Sequence, residues 1–232
     1  MDAMTENTIR QEQVDSFGRL MAGFSHDMKN HLGIIRESNG LMSDIIEMSG
    51  SGTDEASTER LKKAISSIER RVVIAANMLH HLSSFAHRSD TPYSFFQIND
   101  LITEECAFLE RFSKLKQIDF ALELGEGLPA VYNDPSLLHH VLYRLYVLYL
   151  EQLGSGHRLV IITGQDEKNA EITFRLFGPA QENLEKLSDK NLLAAITKLE
   201  GKLEQGAVTQ DHADITLTIA CSSFQFEADE NI

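Results

Sequence analysis

The sequence predicts an α+β fold in which an antiparallel helical hairpin, forming a dimeric four-helix bundle, precedes an α/β sandwich. Three observations lead to this prediction. Residues 1–88 carry only helical periodicity, whereas strand-like and helical segments alternate from residue 93 onward. Hydrophobic residues make up 42% of the 232 positions and charged residues 24%, which is typical of globular proteins. The predicted domains are residues 1–90 and 91–232.

The first long helix is predicted from apolar residues that recur in steps of four and three positions, or multiples of these steps. Two glycines within residues 48–55 interrupt the pattern and predict a loop. A second helix with the same spacing ends before the proline of residues 89–92. The seam residues are Phe17, Met21, Phe24, Met28, Ile35, Met42 and Ile45 in the first helix and Leu61, Ile65, Ile68, Val72, Ala75, Leu79, Leu82 and Ala86 in the second.

Two helices joined by a short loop form a hairpin whose apolar stripes are not fully covered. Two such hairpins cover each other as a four-helix bundle, so the sequence predicts a homodimer. The alternative is that the hairpin packs against its own C-terminal domain.

The C-terminal part of the chain predicts an α/β layer with a mixed sheet. Period-two alternation marks its strands, and amphipathic runs mark its helices. The predicted elements are a strand at 95–99, a helix at 100–116, a strand at 118–124, a helix at 134–154, a hairpin of strands at 158–165 and 170–178, a helix at 192–203 and a strand at 213–223.

The formal net charge of −14 disfavours sequence-independent binding to nucleic acid or to anionic membranes, because both need clustered Lys and Arg. The N-terminus has no apolar region of the kind that a signal peptide needs, and no run of about 18 apolar residues could span a membrane. The two cysteines, Cys106 and Cys221, match no zinc or redox spacing. We therefore expect a cytoplasmic protein.

Residues 25–32 read SHDMKNHL and place two histidines on the first helix. With about 100° per residue, His26 falls opposite the seam and is predicted to face solvent. Two glycines lie on this outward face, and each costs about 1 kcal/mol relative to alanine in a helix. The two glycines would be explained if they leave open space through which a partner's reactive group approaches His26. The neighbours of His26 on this face are Ala22, Gly23, Lys29, Asn30 and Gly33.

A metal site is a poor interpretation of this stretch, because His26 and His31 are five positions apart and diverge by about 140°. His31 falls on the seam side and is predicted to pack within the bundle. An exposed imidazole beside Asp27 suits nucleophilic attack on phosphorus, with the carboxylate orienting the ring. The alternative is that His26 is an ordinary surface residue.

Residues 18–35, GRLMAGFSHDMKNHLGII, resemble the phosphoacceptor box of sensor histidine kinases. That box reads His, an acid, an apolar residue, any residue, Asn, Pro, Leu. The resemblance extends through residues 128–145 and 192–203 to nearly the whole chain, and it implies a Bergerat-type ATP-binding domain. The matching positions are His26, Asp27, Met28, Asn30 and Leu32, with His31 where the family often has proline.

The ATP motifs of that family are altered in this chain. Arg144 and Leu148 stand in place of its two asparagines, the second of which holds magnesium, and Tyr149 replaces an alanine. Leu176 stands at the adenine-binding aspartate, and residues 191–193 replace a glycine-rich phosphate loop. A nucleotide site without these groups lacks its main electrostatic contributions. We expect a retained fold and no ATP binding.

The leading hypothesis is a histidine phosphotransferase that relays phosphoryl groups between response-regulator receiver aspartates through His26. The receiver would supply Mg²⁺, so the chain itself would need no cofactor. The predicted catalytic residues are His26, Asp27 and Asn30, and the predicted partner-binding residues are Ala22, Gly23, Lys29 and Gly33.

Three alternatives remain open. In a response-regulator phosphatase, Asn30 would position a water molecule against the phosphoaspartate. In a non-enzymatic pseudokinase scaffold that binds receivers, His26 would be incidental. The last alternative is an active kinase with unusual ATP chemistry.

Overall fold

A computed structural model describes residues 3–49, 54–88, 91–166, 168–178, 189–209 and 211–221. The helices are α1 (Ala3–Ser49), α2 (Glu55–Arg88), α3 (Ile98–Leu115), α4 (Pro135–Gln152) and α5 (Lys190–Lys198). The strands are β1 (Ser94–Phe96), β2 (Asp119–Glu123), β3 (Val131–Asn133), β4 (Arg158–Asp166), β5 (Asn169–Phe177), β6 (Lys202–Val208) and β7 (His212–Ala220). None of the described helices is long and apolar enough to cross a membrane.

The two long helices α1 and α2 confirm the predicted hairpin elements. Asp54 begins α2, because its carboxylate accepts a hydrogen bond from the backbone N–H of Ser57 at 2.7 Å. The Ser57 side chain, followed by this backbone N–H, lowers the pKa of the Asp54 carboxyl through hydrogen bonding. Half of the predicted loop at 48–55, residues 50–53, lies outside the described residues.

The chain divides into two compact units. One is Arg19–Ser84, and the other combines Met1–Gly18 with Phe85–Ile232. This division differs from the predicted boundary at residue 90, because the first turns of α1 pack within the α/β unit. In that unit Ile9 is buried and the ring of Phe17 stacks on Phe85 at 5.6 Å.

The α/β unit contains a five-stranded sheet of order β2-β4-β5-β7-β6. Strand β2 pairs with β4 in parallel, and the other neighbours are antiparallel. Alternate residues of β5 are buried, namely Ala170, Ile172, Phe174 and Leu176. Helix α4 packs on this face, with the ring of Tyr149 5.6 Å from that of Phe174. The predicted helical hairpin followed by an α/β sandwich is confirmed.

Several predicted boundaries were wrong. The helix predicted at 192–203 ends at Lys198, because Glu200 adopts a left-handed backbone (φ 53°) and the chain then enters β6. The strand predicted at 95–99 covers only Ser94–Phe96, where it pairs with the unpredicted β3. The start of α4 matches its prediction, since Asp134 accepts a hydrogen bond from the N–H of Leu137 at 2.9 Å.

Candidate functional site

His26 lies near the middle of α1, and its side chain is 57% exposed. The neighbouring turn has the sequence expected of a helix interior, with no proline to interrupt its hydrogen bonds. The structure therefore confirms that the imidazole faces solvent, as the helical wheel predicts.

Two side chains contact the same nitrogen of His26. The Asp27 carboxylate lies 3.1 Å from Nδ1, and the amide nitrogen of Asn30 also lies 3.1 Å from Nδ1. A neutral imidazole nitrogen either donates or accepts, and a carboxylate can only accept. Because hydrogen bonds to an ionised partner are the stronger ones, Asp27 favours the proton on Nδ1, and the amide nitrogen of Asn30 then cannot donate to the same atom. This tautomer leaves the electron pair on Nε2, which takes part in neither contact.

The predicted partner-binding residues lie on the same stretch of helix. Ala22 and Lys29 are exposed, like Asn30, whereas Gly23 and Gly33 are half-buried. A Cβ atom added at Gly33 would meet only open space, so packing within this chain does not require glycine there. That this face is kept clear for an approaching group stays a prediction.

His31 does not join this cluster. It is half-buried, and its Nδ1 lies 3.5 Å from the Arg71 guanidinium on α2. This contact confirms that His31 faces the second helix of the hairpin. Across the described ranges, no group of three His, Cys, Asp or Glu side chains could hold a metal ion.

The guanidinium of Arg144 forms ion pairs with side chains of the α/β unit. Its Nη1 donates to Glu12 at 2.7 Å, and its Nη2 donates to Asp189. The amide of Asn191 donates to the other oxygen of Glu12 at 2.8 Å. Sequence reasoning noted Arg144 only as a lost asparagine and missed Glu12, because a contact between such distant positions leaves no local pattern.

Large apolar side chains stand at most of the other positions that differ from the kinase motifs, and of these Leu193 is exposed. Tyr149, Leu176 and Leu192 are all buried within the α/β unit, and Leu148 is half-buried. Their burial places them in the core of the unit and contributes to its stability through the hydrophobic effect.

A buried acid–base pair, also missed from the sequence, lies beside the end of α2. The Glu105 carboxylate is 2.7 Å from His139 Nδ1, and both side chains are buried. Burial raises the pKa of Glu105, while the hydrogen bond to His139 opposes that change. The ring of Phe85 lies 4.4 Å from that of His139. This pair belongs to the packing of the unit.

No protein-family model matches the chain. It is similar in sequence to the sensor histidine kinase ZraS of Salmonella typhimurium and of Salmonella typhi. Each is 25% identical over 177 residues, which cover 72% of this chain and 35% of the relative. The chain thus spans only about a third of the length of these relatives.

Two solved structures are also similar. The catalytic domain of histidine kinase ThkA aligns with a TM-score of 0.48 and 19% identity, covering 56% of this chain and 97% of that one. Histidine kinase ThkA in complex with response regulator protein TrrA aligns with a TM-score of 0.47 and 18% identity, covering 96% of this chain and 68% of that one. In sequence, the chain is thus distantly similar to sensor histidine kinases.

Proposed function

We propose that this histidine kinase-like protein is a histidine phosphotransferase of a two-component phosphorelay. The observation that carries the proposal is the exposed His26 imidazole, whose Nδ1 contacts both Asp27 and Asn30 while Nε2 takes part in neither contact. An accessible nitrogen with an oriented ring is what attack on a phosphoryl group requires.

In this proposal, Nε2 of His26 attacks the phosphorus of a receiver's aspartyl phosphate. The new N–P bond forms as the bond between phosphorus and the aspartyl oxygen breaks, and the receiver carboxylate departs. The ring becomes positively charged, and Asp27 stabilises that charge through the proton on Nδ1, as carboxylates do beside catalytic imidazoles. The reverse step on a second receiver restores the neutral ring. Magnesium bound by the receiver offsets the phosphoryl charge.

We further propose that the α/β unit does not use ATP. Supporting this, the Arg144 guanidinium is engaged by Glu12 and Asp189, and Leu176 and Leu192 are buried in the core. A phosphoryl donor other than ATP is therefore required, and a phosphorylated receiver supplies one.

We also propose a homodimer through the hairpin. Ile65, Val72 and Leu79 of α2 are each separated by seven positions and are 43%, 50% and 52% exposed. Apolar side chains with this spacing form the seam of a helical bundle. A second copy of the hairpin would remove them from water.

The test is transfer from a phosphorylated receiver domain to the protein in the presence of Mg²⁺. We expect acid-labile label on wild type and none on His26→Gln, with His80→Gln as the matched control on an exposed helical histidine. Labelled ATP in place of the receiver should leave both proteins unlabelled. Transfer to His26→Gln would refute the role of His26, and ATP-dependent label would refute the absence of kinase activity.

A phosphatase is the second candidate, because the exposed amide of Asn30 lies beside His26. An amide at this position could orient a water molecule toward a receiver's phosphoaspartate. If phosphatase activity is the main one, Asn30→Ala should abolish receiver dephosphorylation, whereas His26→Gln should retain most of it.

A further inference from the structure

Three aromatic side chains lie together on one face of the two-stranded sheet that β1 and β3 form. Phe95 and Tyr132 are paired across the two strands, and the centres of their rings are 4.8 Å apart. The ring of Tyr93 lies 6.1 Å from that of Tyr132. We call Tyr93, Phe95 and Tyr132 the aromatic face. All three residues belong to the α/β unit.

The aromatic face is exposed to solvent, and its residues are 46%, 46% and 52% exposed in chain order. Side chains alternate between the two sides of a strand, and those on the opposite side are buried, namely Phe96, Val131 and Asn133. An antiparallel sheet that is covered on one side normally carries polar residues on the other. Aromatic residues on the solvent side are typical of a surface that binds a partner.

The size of the aromatic face indicates what kind of partner it fits. A phenylalanine or tyrosine side chain has about 200 Å² to bury, so three rings that are half exposed offer roughly 300 Å². A stable interface between two folded proteins buries about 800 Å² on each side. The aromatic face alone is therefore too small to hold a second copy of this chain, whereas it suits a short segment of a polypeptide.

The chain around the aromatic face is acidic. Residues 89–110 and 117–143, which contain β1 and β3, carry Asp and Glu but no Lys or Arg. Asp134 has an extended backbone and lies two positions after Tyr132, so the two side chains leave the chain on the same side. The amine of Lys198, near Asp134, is engaged in an ion pair. With a net charge of −14 for the whole chain, this distribution favours a cationic partner.

The guanidinium group of arginine matches both the rings and the charge. It is planar, it stacks on the face of an aromatic ring, and it is more weakly hydrated than the ammonium group of lysine. An arginine side chain can therefore cover an exposed ring and bring a positive charge to the acidic surroundings. A lysine side chain supplies the same charge but no planar group to stack.

We propose that the aromatic face binds a short arginine-containing segment of a partner protein, with guanidinium groups stacked on Tyr93, Phe95 and Tyr132. This binding goes beyond phosphoryl transfer and is independent of it, since His26 belongs to the other compact unit of the chain.

Fluorescence anisotropy of a labelled peptide tests the proposal on the full chain. The probe is Gly-Ser-Arg repeated three times, and the matched peptide has lysine at each arginine position and therefore the same charge. We expect saturable binding of the arginine peptide, at least about fivefold tighter than that of the lysine peptide. High salt should weaken the binding of both peptides, because part of the attraction is electrostatic.

Matched variants at Tyr132 locate the binding. Tyr132→Phe keeps the ring and should bind the arginine peptide as wild type does. Tyr132→Val keeps an apolar residue that suits a strand but removes the ring, and it should bind about fivefold more weakly. Tyr93→Val replaces it if that variant does not fold. Leu115→Ala, at an apolar position of the same unit that is 69% exposed, should leave binding unchanged.

Four results would each overturn the proposal. The first is that wild type does not bind the arginine peptide, and the second is that the lysine peptide binds as tightly. The third is equal binding by the phenylalanine and valine variants at position 132. The fourth is that Tyr132→Val abolishes self-association of the chain in sedimentation, which would assign the aromatic face to a second copy.

Discussion

Arg144 and Glu12 are 132 positions apart in the chain, and their side chains form a hydrogen-bonded ion pair at 2.7 Å. The pair joins the first turns of α1 to α4, with the two side chains 29% and 22% exposed. It is thus neither fully buried nor a solvent-exposed surface pair. Its contribution to stability should lie between that of an exposed surface ion pair and that of a fully buried ion pair.

Arg144→Leu should lower the free energy of unfolding by about 2 kcal/mol at low salt, because it leaves Glu12 and Asp189 without their charged partner. High salt should reduce the loss, since part of the interaction is screened. Denaturant unfolding at two salt concentrations measures both effects. Lys114→Leu is the control, because its pair with Glu110 is largely exposed, at 70% and 51%. An equal loss of unfolding free energy in the two variants would contradict a stabilising role for the ion pairs of Arg144.

Acid should destabilise the protein through His140. Its pKa in the folded state, about 4, lies below its ordinary value of 6.5, so the unfolded chain binds the proton first as the pH falls. The stability from the neutral ring is complete above pH 6.5 and is lost as the pH falls toward 4, by on the order of 3 kcal/mol.

The measurement is the free energy of unfolding of wild type and His140→Asn between pH 7 and 4. We expect the variant to start less stable and to lose less stability on acidification. His87→Asn serves as the control, because its side chain is exposed at the end of α2. Parallel acid profiles for wild type and His140→Asn would show that this ring does not govern the dependence.

Val72→Lys should convert the proposed homodimer into monomers. Val72 is 50% exposed in the single chain and lies on the α2 seam, where a charge would be desolvated by a second hairpin. Sedimentation at micromolar concentration distinguishes the two states. Lys63→Glu, at a position 76% exposed and off the seam, should leave the dimer intact. A wild-type monomer, or an unchanged mass for Val72→Lys, would exclude the hairpin interface.

Asp27→Asn should slow phosphoryl transfer to His26 by about a hundredfold, because an amide cannot stabilise the charged ring as a carboxylate does. Rapid-mixing experiments with a phosphorylated receiver measure the rate. Asp44→Asn, an exposed substitution on the same helix, should transfer at the wild-type rate. If both variants transfer equally fast, Asp27 does not orient the ring.

The predictable parts of the fold are those with local signals. A spacing of four and three residues indicated both long helices and the exposed side of α1 that carries His26. The Asp134–Pro135 pair likewise indicated where α4 begins. Strand β3 was missed because its three residues form a strand only by pairing with β1. Strand β6 was missed because the end of α5 depends on the backbone conformation of Glu200.

The sequence by itself determined the order of the helices, the outward direction of His26 and its closeness to Asp27 and Asn30, because positions one and four residues apart on a helix are neighbours. Only the tertiary structure decided that the first turns of α1 pack within the α/β unit. It also decided that Glu12 binds Arg144 and that Ser16 contacts His140. Contacts between residues more than a hundred positions apart follow from packing and charge pairing, which leave no periodic signal along the chain.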